Sequence, residues 1–369
     1  MPERVPLRLL TEARPFVVAE AGVNHNGSLD RALAMVDAAA DAGADAVKFQ
    51  TFRAQDLASP HAPKASYQAK TTDAGESQRE MLARLELAPE AHHALQRRAK
   101  ERGVLFLSTP FDAGSLDFLV RALQVPLLKV GSGDLTNGPL LLRAAASGRP
   151  VILSTGMGTL EEIEAALGVL AFGYTTGDRA APGRAAFAAA AASAAGRAAL
   201  AQNVALLHCT SQYPAPSADA NLRAMGTLRE AFGLVVGYSD HTMGNAVALA
   251  AVALGARIIE KHFTLDRGLP GPDHQASALP EELGALVRDI REVDAALGSP
   301  EKRPVASELS TREVARRRLT ALRPVRAGEP FTEANLGAKR PGNGESPMAY
   351  WDWLGRPASR DYAEDEPIA

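Results

Sequence analysis

A single cysteine, Cys209, stands in a chain of 369 residues. One thiol cannot build an internal disulfide framework, and such scarcity suits a reducing compartment. Neither sign of charge is in marked excess: 40 Lys and Arg face 43 Asp and Glu, for a formal net charge of -3. That balance removes the electrostatic case for nucleic acid or an anionic membrane as partner. No apolar run approaches the ~18 residues of a membrane span, and the opening MPERVPLRLLTEARP has no long apolar h-region. A cytoplasmic location is therefore expected. Also missing is the GxGxxG fingerprint of a dinucleotide fold, since the first strand-to-helix turn reads AEAGVNHNG.

What is there is ordinary in bulk, 46% apolar and 22% charged, as in a globular enzyme. The length allows one large domain plus a small one, because single cores stop growing near ~250–300 residues. From Phe16 onward, short apolar segments recur, each ending in polar residues: 16–22, 46–52, 104–111, 127–134, 151–157, 204–211, 234–240 and 257–263. Their continuous apolar character suits strands buried on both faces of a parallel sheet. Helical patterns fill the gaps: 29–42, 89–102, 115–123, 139–147, 160–170, 222–232, 245–254 and 280–297. In the first of these, Leu33, Val36 and Ala40 share a face, Ser28 stands as N-cap and Gly43 follows the last turn. Eight alternating units predict an α/β fold, a (β/α)8 TIM barrel over 1–298.

Two insertions interrupt the rhythm. Residues 53–88 would sit on the catalytic face as a lid or substrate loop. Residues 173–203 are Ala-rich, and we expect a helical or poorly ordered elaboration on the bottom face without a chemical role. Residues 299–318 read as a linker with a basic end, and 319–369 as a small β-rich module near the lower size limit for independent folding.

Barrel enzymes carry their chemistry at the carboxyl ends of the strands. The polar residues there are Glu20, Lys48, Gln50, Thr51, Ser108, Thr109, Lys129, Ser132, Asp134, Ser154, Thr155, His208, Thr210, Ser211, Ser239, Asp240, His241, Glu260, Lys261 and His262. Lys48 and Lys129, with nearby Ser132, Ser154 and flexible glycines, either receive phosphate and carboxylate groups or pair structurally with carboxylates. His241 and His262 end consecutive strands, so they either share a metal or form a metal-free pair in the rim. Cys209 reads as a small buried core residue, because neighbouring residues on a strand face opposite ways.

The motifs AEAGVNHNGS, AVKFQTF, FLSTPFD, KVGSGDLTN, ILSTGM, LLHCTSQYP, GYSDHTMG, IIEKHFTLDR with LPGPDH, and KRPGNG resemble the sialic acid synthase family, in order along almost the whole chain. The last segment resembles its antifreeze-like (SAF) domain. The resemblance implies condensation of phosphoenolpyruvate with an open-chain acetamido sugar, usually N-acetylmannosamine. It implies a divalent metal, Mn2+ first with Mg2+ or Co2+ as substitutes, on His241 and His262. Lys48, Thr109, Lys129, Ser132, Ser154, Ser211, Tyr213 and Ser239 would bind phosphoenolpyruvate, and Glu20 would serve as base or water-orienting carboxylate. Gln50, Asp134, Tyr213 and Asp273 would hold the sugar. Arg340 would reach it from the partner of a domain-swapped homodimer. Glu260 and Lys261 are expected to stand behind the substrate-contacting residues, and Asp266 to brace its loop. Ser211 and Asp134 depart from the Asn and Glu that several bacterial members carry, which leaves the acceptor open. A legionaminate or pseudaminate synthase, a sugar 6-phosphate or another aldose as acceptor, or a non-catalytic sugar-binding homologue are the alternatives.

Overall fold

The computed structural model describes residues 7, 13–65, 68–69, 72–73, 75–176 and 180–369. Most of the N-terminal stretch, a few positions of the 53–88 loop and residues 177–179 of the Ala-rich insertion thus lie outside the described residues. The chain divides into two compact units, 1–298 and 299–369.

The first unit is a barrel of eight parallel strands: β1 (Phe16–Gly22), β2 (Ala46–Thr51), β3 (Leu105–Pro110), β4 (Leu128–Val130), β5 (Val151–Ser154), β6 (Val204–Cys209), β7 (Val235–Asp240) and β8 (Ile258–His262). Ladders run in the order β3-β2-β1-β8-β7-β6-β5-β4, and β4 lies against β3 without a ladder of its own. Around it pack α1 (Leu29–Asp41), α2 (Pro89–Arg102), α3 (Ala113–Asp117), α4 (Gly138–Ala146), α5 (Leu160–Thr175), α6 (Arg184–Ala192), α7 (Ala194–Asn203), α8 (Ala224–Phe232), α9 (Ala246–Ala253) and α10 (Pro280–Leu297).

Local chemistry sets these limits. The Ser28 hydroxyl accepts from Arg31 N–H and opens α1, while Gly43, at φ +79°, ends it. Pro89 occupies the first turn of α2, where its missing N–H costs nothing, and Gly103 in the left-handed region stops it. Thr159 and Glu162 cap α5 reciprocally. The buried stripe of α1 is Ala32, Met35, Val36 and Ala39, rotated one position from the expected face, with Leu33 and Ala40 half-buried at its edge. The Ala-rich insertion is helical: α6 and α7 pack along α5, with Phe187 edge-on to Phe172 at 5.3 Å.

Strand residues alternate between two environments. Val17, Ala19, Val47, Phe106, Leu128, Leu153, Leu206, Val236 and Ile259 face the helices. Phe16, Val18, Ala46, Leu107, Leu127, Ile152, Ala205, Leu207 and Ile258 fill the barrel's inside. That inner stack is apolar at the amino end of the strands, and the next inward positions toward the carboxyl end are polar.

The second unit contains a helix absent from our reading of the linker, α11 (Leu309–Ala315), and an antiparallel pair, β9 (Arg318–Ala321) with β10 (Leu336–Lys339). Its own core is Leu319, Ala321, Val325, Phe331, Leu336, Ala358, Tyr362 and Ile368. No helix among the described residues is long and apolar enough to cross a membrane.

Candidate active site

One step up the inward stack from Val18, Ala46, Leu107, Leu127, Ile152, Leu207 and Ile258 come Glu20, Lys48, Thr109, Lys129, Ser154, Cys209 and Glu260. Period-two alternation delivers all of them, with Ser239, to the floor of one cavity of about 460 Å³. Register keeps them level: Glu20 is paired with Lys48 across β1–β2 and with His262 across β1–β8. A register shift between Glu20 and Gly22 ends the β1–β2 ladder beside the cavity, a common place for a bulge.

The floor is a buried charge cluster. Lys48 Nζ lies 2.5 Å from Glu20 Oε2 and 3.5 Å from Glu260 Oε2, and donates to Thr109 Oγ1 at 3.1 Å. Lys129 Nζ lies 3.5 Å from Glu260 Oε1 and donates to Ser154 Oγ at 2.8 Å. Ser239 Oγ donates to Glu260 Oε1 at 2.8 Å, and Gln50 Nε2 reaches Glu20 Oε1 at 3.4 Å. Burial pushes the Glu20 carboxyl up to about 7 against the pull of Lys48. Burial acts on Glu260 in the same sense, but Lys129, Lys48 and the Ser239 hydroxyl outweigh it and hold its carboxyl well below the usual range. Burial also lowers Lys129, whereas the two carboxylates around Lys48 overcome burial and raise it. Two carboxylates thus share two ammonium groups, and burial works against the charged form of Glu20.

Beside the floor, Gly156 N–H donates to Ser132 Oγ at 3.0 Å. A Cβ on Gly156 would stand 2.5 Å from Ser211 Oγ and 2.8 Å from both Cys209 Sγ and Ser132 Oγ, so only glycine leaves this pocket open.

His241 and His262 hold their ring centroids 5.5 Å apart, with Tyr213 4.2 Å from His241 and edge-on to His262 at 5.4 Å. His241 Nδ1 donates to Thr210 O at 2.7 Å, which fixes the tautomer and leaves Nε2 its lone pair. His262 Nδ1 is buried without a hydrogen-bond partner among the described residues. Burial keeps both rings neutral, His262 the more strongly because His241 and Lys48 stand near it. Two neutral imidazoles, one oriented by a carbonyl and one with an orphaned nitrogen, fit a divalent cation. Among the described residues no group of three His, Cys, Asp or Glu is placed to cage one.

Of the expected site residues, the cavity gathers Glu20, Lys48, Gln50, Thr109, Lys129, Ser132, Ser154, Ser211, Tyr213, Ser239, His241, His262 and Asp273. Asp134 is not brought in: its Oδ1 accepts from Asn137 Nδ2 at 2.9 Å in the turn after β4. Arg340 is exposed in the second unit. Thr51, Ser108, His208, Asp240 and Lys261 belong to the outward row. Thr51 bonds Ser108 and His92, His208 bonds Ala220 O, and Lys261 pairs with Asp240 at 2.7 Å. Asp266 accepts from Gly268 N–H within its own loop. Beyond Asp134, two residues differ from expectation. Cys209 is buried but lines the cavity, its Sγ 3.1 Å from Ser132 Oγ, and Glu260 stands in the middle of the floor. Strand parity was the available signal, because both share the inward row with Lys48 and Lys129.

The fold and this mouth define a (β/α)8 barrel with a buried, charged cavity at the carboxyl ends of its strands, where barrel enzymes carry their chemistry. The NeuB family model matches residues 35–302, and the SAF domain model matches 316–369. N,N'-diacetyllegionaminic acid synthase of Campylobacter jejuni is 46% identical over 355 residues, 96% of this chain and 99% of the relative. Its namesake in Legionella pneumophila is 44% identical, over 90% of this chain and 87% of the relative. Human N-acetylneuraminate-9-phosphate synthase is 35% identical, over 81% and 75%. A crystal structure of N-acetylneuraminic acid synthetase from Leptospira borgpetersenii, in complex with citrate, superposes with TM-score 0.65 at 35% identity, covering 81% of this chain and 90% of that one. The chain belongs to the NeuB family, the sialic acid synthases, and carries the SAF domain.

Proposed function

We propose that the protein condenses phosphoenolpyruvate with the open-chain aldehyde of an acetamido hexose, yielding a nine-carbon keto acid and phosphate. The observation that carries this reading is the joining, in one cavity, of a two-lysine floor with two neutral imidazoles. Lys48 and Lys129, ringed by Thr109, Ser132, Ser154 and Ser239, would hold the phosphate and carboxylate. Those anions compete with Glu260 for the ammonium groups, so binding exchanges one set of ion pairs for another rather than stripping charges bare. C3 of phosphoenolpyruvate forms a bond to the aldehyde carbon while the carbonyl π pair moves onto the aldehyde oxygen, which takes up a proton; water adds at C2 with loss of a proton, and collapse of that adduct to the C2 ketone, losing its second proton, breaks the C2–O bond and releases phosphate. Glu20 would take the proton from that water and stabilise positive charge developing at C2. A divalent cation held by His241 and His262, Mn2+ in our reading, would supply Lewis-acid polarisation of the aldehyde when bound.

As acceptor we favour a diacetamido hexose over N-acetylmannosamine. The support is comparative: the two legionaminic acid synthases are 46% and 44% identical, against 35% for the neuraminate-9-phosphate synthase. Arg340 would contact the acyl group in the cavity of a partner subunit.

The test is phosphate release from phosphoenolpyruvate with a panel of aldoses in Mn2+. Release is expected with at least one acetamido hexose, and His241→Ala should lower turnover roughly 100-fold or more. No release with any acceptor would favour a sugar-binding homologue, and full turnover by His241→Ala would remove the shared metal.

A further inference from the structure

The turn after β1 and the loop after β8 are tied to each other by side chains that the proposed condensation does not use. Asn24 Nδ2 donates to Phe263 O at 2.8 Å and to Ser277 Oγ at 2.9 Å, and Ser277 Oγ donates in turn to Asp273 O at 2.7 Å. Asn26 Nδ2 donates to Pro270 O at 2.7 Å, which turns its Oδ1 toward His274 Nε2, 3.1 Å away. That nitrogen therefore carries the proton, and Nδ1 accepts from the Thr264 hydroxyl at 2.7 Å. Burial, with Arg31 adding to it, lowers the His274 ring to about 4, so the ring is neutral and both its nitrogens are satisfied. Gly271 permits the close approach: its φ is +152°, and a Cβ would stand 2.7 Å from His274 Cδ2 and 2.9 Å from Asn26 Oδ1.

Asp273, next to His274, lines the cavity. Burial alone acts on its carboxyl, pushing it up to about 6, and among the described residues no side chain holds it. Its place is therefore set by the backbone of the loop, and that backbone is set by Asn24, Asn26 and His274.

We propose that His274 is a positioning residue: held by Asn26 and Thr264, it fixes the loop after β8 so that the Asp273 carboxylate meets the acceptor. This rests on the condensation proposed above.

Asn26 stands at φ +48°, a left-handed conformation that glycine adopts freely, so Asn26→Gly removes the side chain without backbone strain. With whichever of a diacetamido hexose and N-acetylmannosamine the parent turns over, Asn26→Gly and His274→Leu should each raise the acceptor KM about tenfold. The KM of phosphoenolpyruvate should stay within about twofold. His274→Gln, which can still donate to Asn26, should return the acceptor KM to within about threefold of the parent. In an Asp273→Asn background, Asn26→Gly should cost less than about threefold more, because both changes act on one contact. Deuterium uptake over residues 264–277 should quicken in Asn26→Gly and stay unchanged in β1 and β8. Losses that add fully to Asp273→Asn, equal losses for the two substrates, no recovery by His274→Gln, or unchanged uptake would overturn the assignment. Faster uptake confined to the loop, with no phosphate released from any aldose by the parent, would leave the clamp standing and sink the reaction instead.

Discussion

At Gly156 a single missing carbon keeps the space between Ser132, Cys209 and Ser211 open beside the floor. Because a Cβ there would lie within 2.8 Å of three side-chain heteroatoms, Gly156→Ala should lower kcat/KM for phosphoenolpyruvate by roughly 100-fold. Steady-state kinetics beside a circular dichroism spectrum checks this, and a folded variant within tenfold of the parent would contradict the crowding. Parity separates Cys209 from His208 but does not by itself say which of them faces inward: Cys209, in the row of Lys48 and Lys129, lines the cavity, and His208 bonds Ala220 O on the other side. Lys48, Lys129 and Ser154 are legible as strand-end polar residues. Glu260 and Lys261 look alike in sequence, yet one faces the lysines and the other the helices, a consequence of a period of two. Asp134 stands in the same strand-end cluster as Ser132, but the turn after β4 directs its carboxylate to Asn137.

At the scale of elements, the outward row does a different job. Lys261 Nζ donates to Asp240 Oδ2 and to Thr242 O, both at 2.7 Å, while Asp240 Oδ1 accepts from Thr242 N–H and its hydroxyl. Thr242 follows His241, and Lys261 precedes His262, so this network ties together the strand ends that aim the two imidazoles. Lys261→Met would leave Asp240 buried and uncompensated, at a cost of about 3–5 kcal/mol. Adding Asp240→Asn should restore much of that loss, which chemical denaturation of the three proteins would show. A single variant as stable as the parent would mean that the pair is not coupled as drawn. Helix limits were legible where Pro opens the first turn and Gly follows the last, as at Pro89–Arg102 and Pro280–Leu297. They drifted where packing decides. Apolar contact with α6 accompanies the extension of α5 through Thr175, and α3 passes into a π-helical turn at Phe118–Ala122 that no residue type announces.

At the scale of the whole molecule, each unit owns a core. A protein ending at Gly298 should therefore fold, with a cooperative thermal transition within about 5 °C of the barrel's transition in the full chain. If Arg340 contacts the acceptor as proposed, that protein should fail to turn over acceptor. Thermal melts together with phosphate release check both halves, and undiminished turnover would take Arg340 out of the reaction.

Eight apolar segments, alternating with amphipathic ones, were enough by themselves to determine a (β/α)8 barrel and the level at which its polar residues lie. Hydrophobic periodicity is a local property, written along the chain at spacings of two and about 3.6. Only the tertiary structure decided which polar residues meet. The Glu20–Lys48–Glu260–Lys129 cluster joins β1, β2, β8 and β4, and the apolar cluster of Val23, Phe52, Met81 and Leu85 draws on the segments after β1 and β2. Distances between such groups follow from barrel closure and loop packing, and those are set by the whole chain at once.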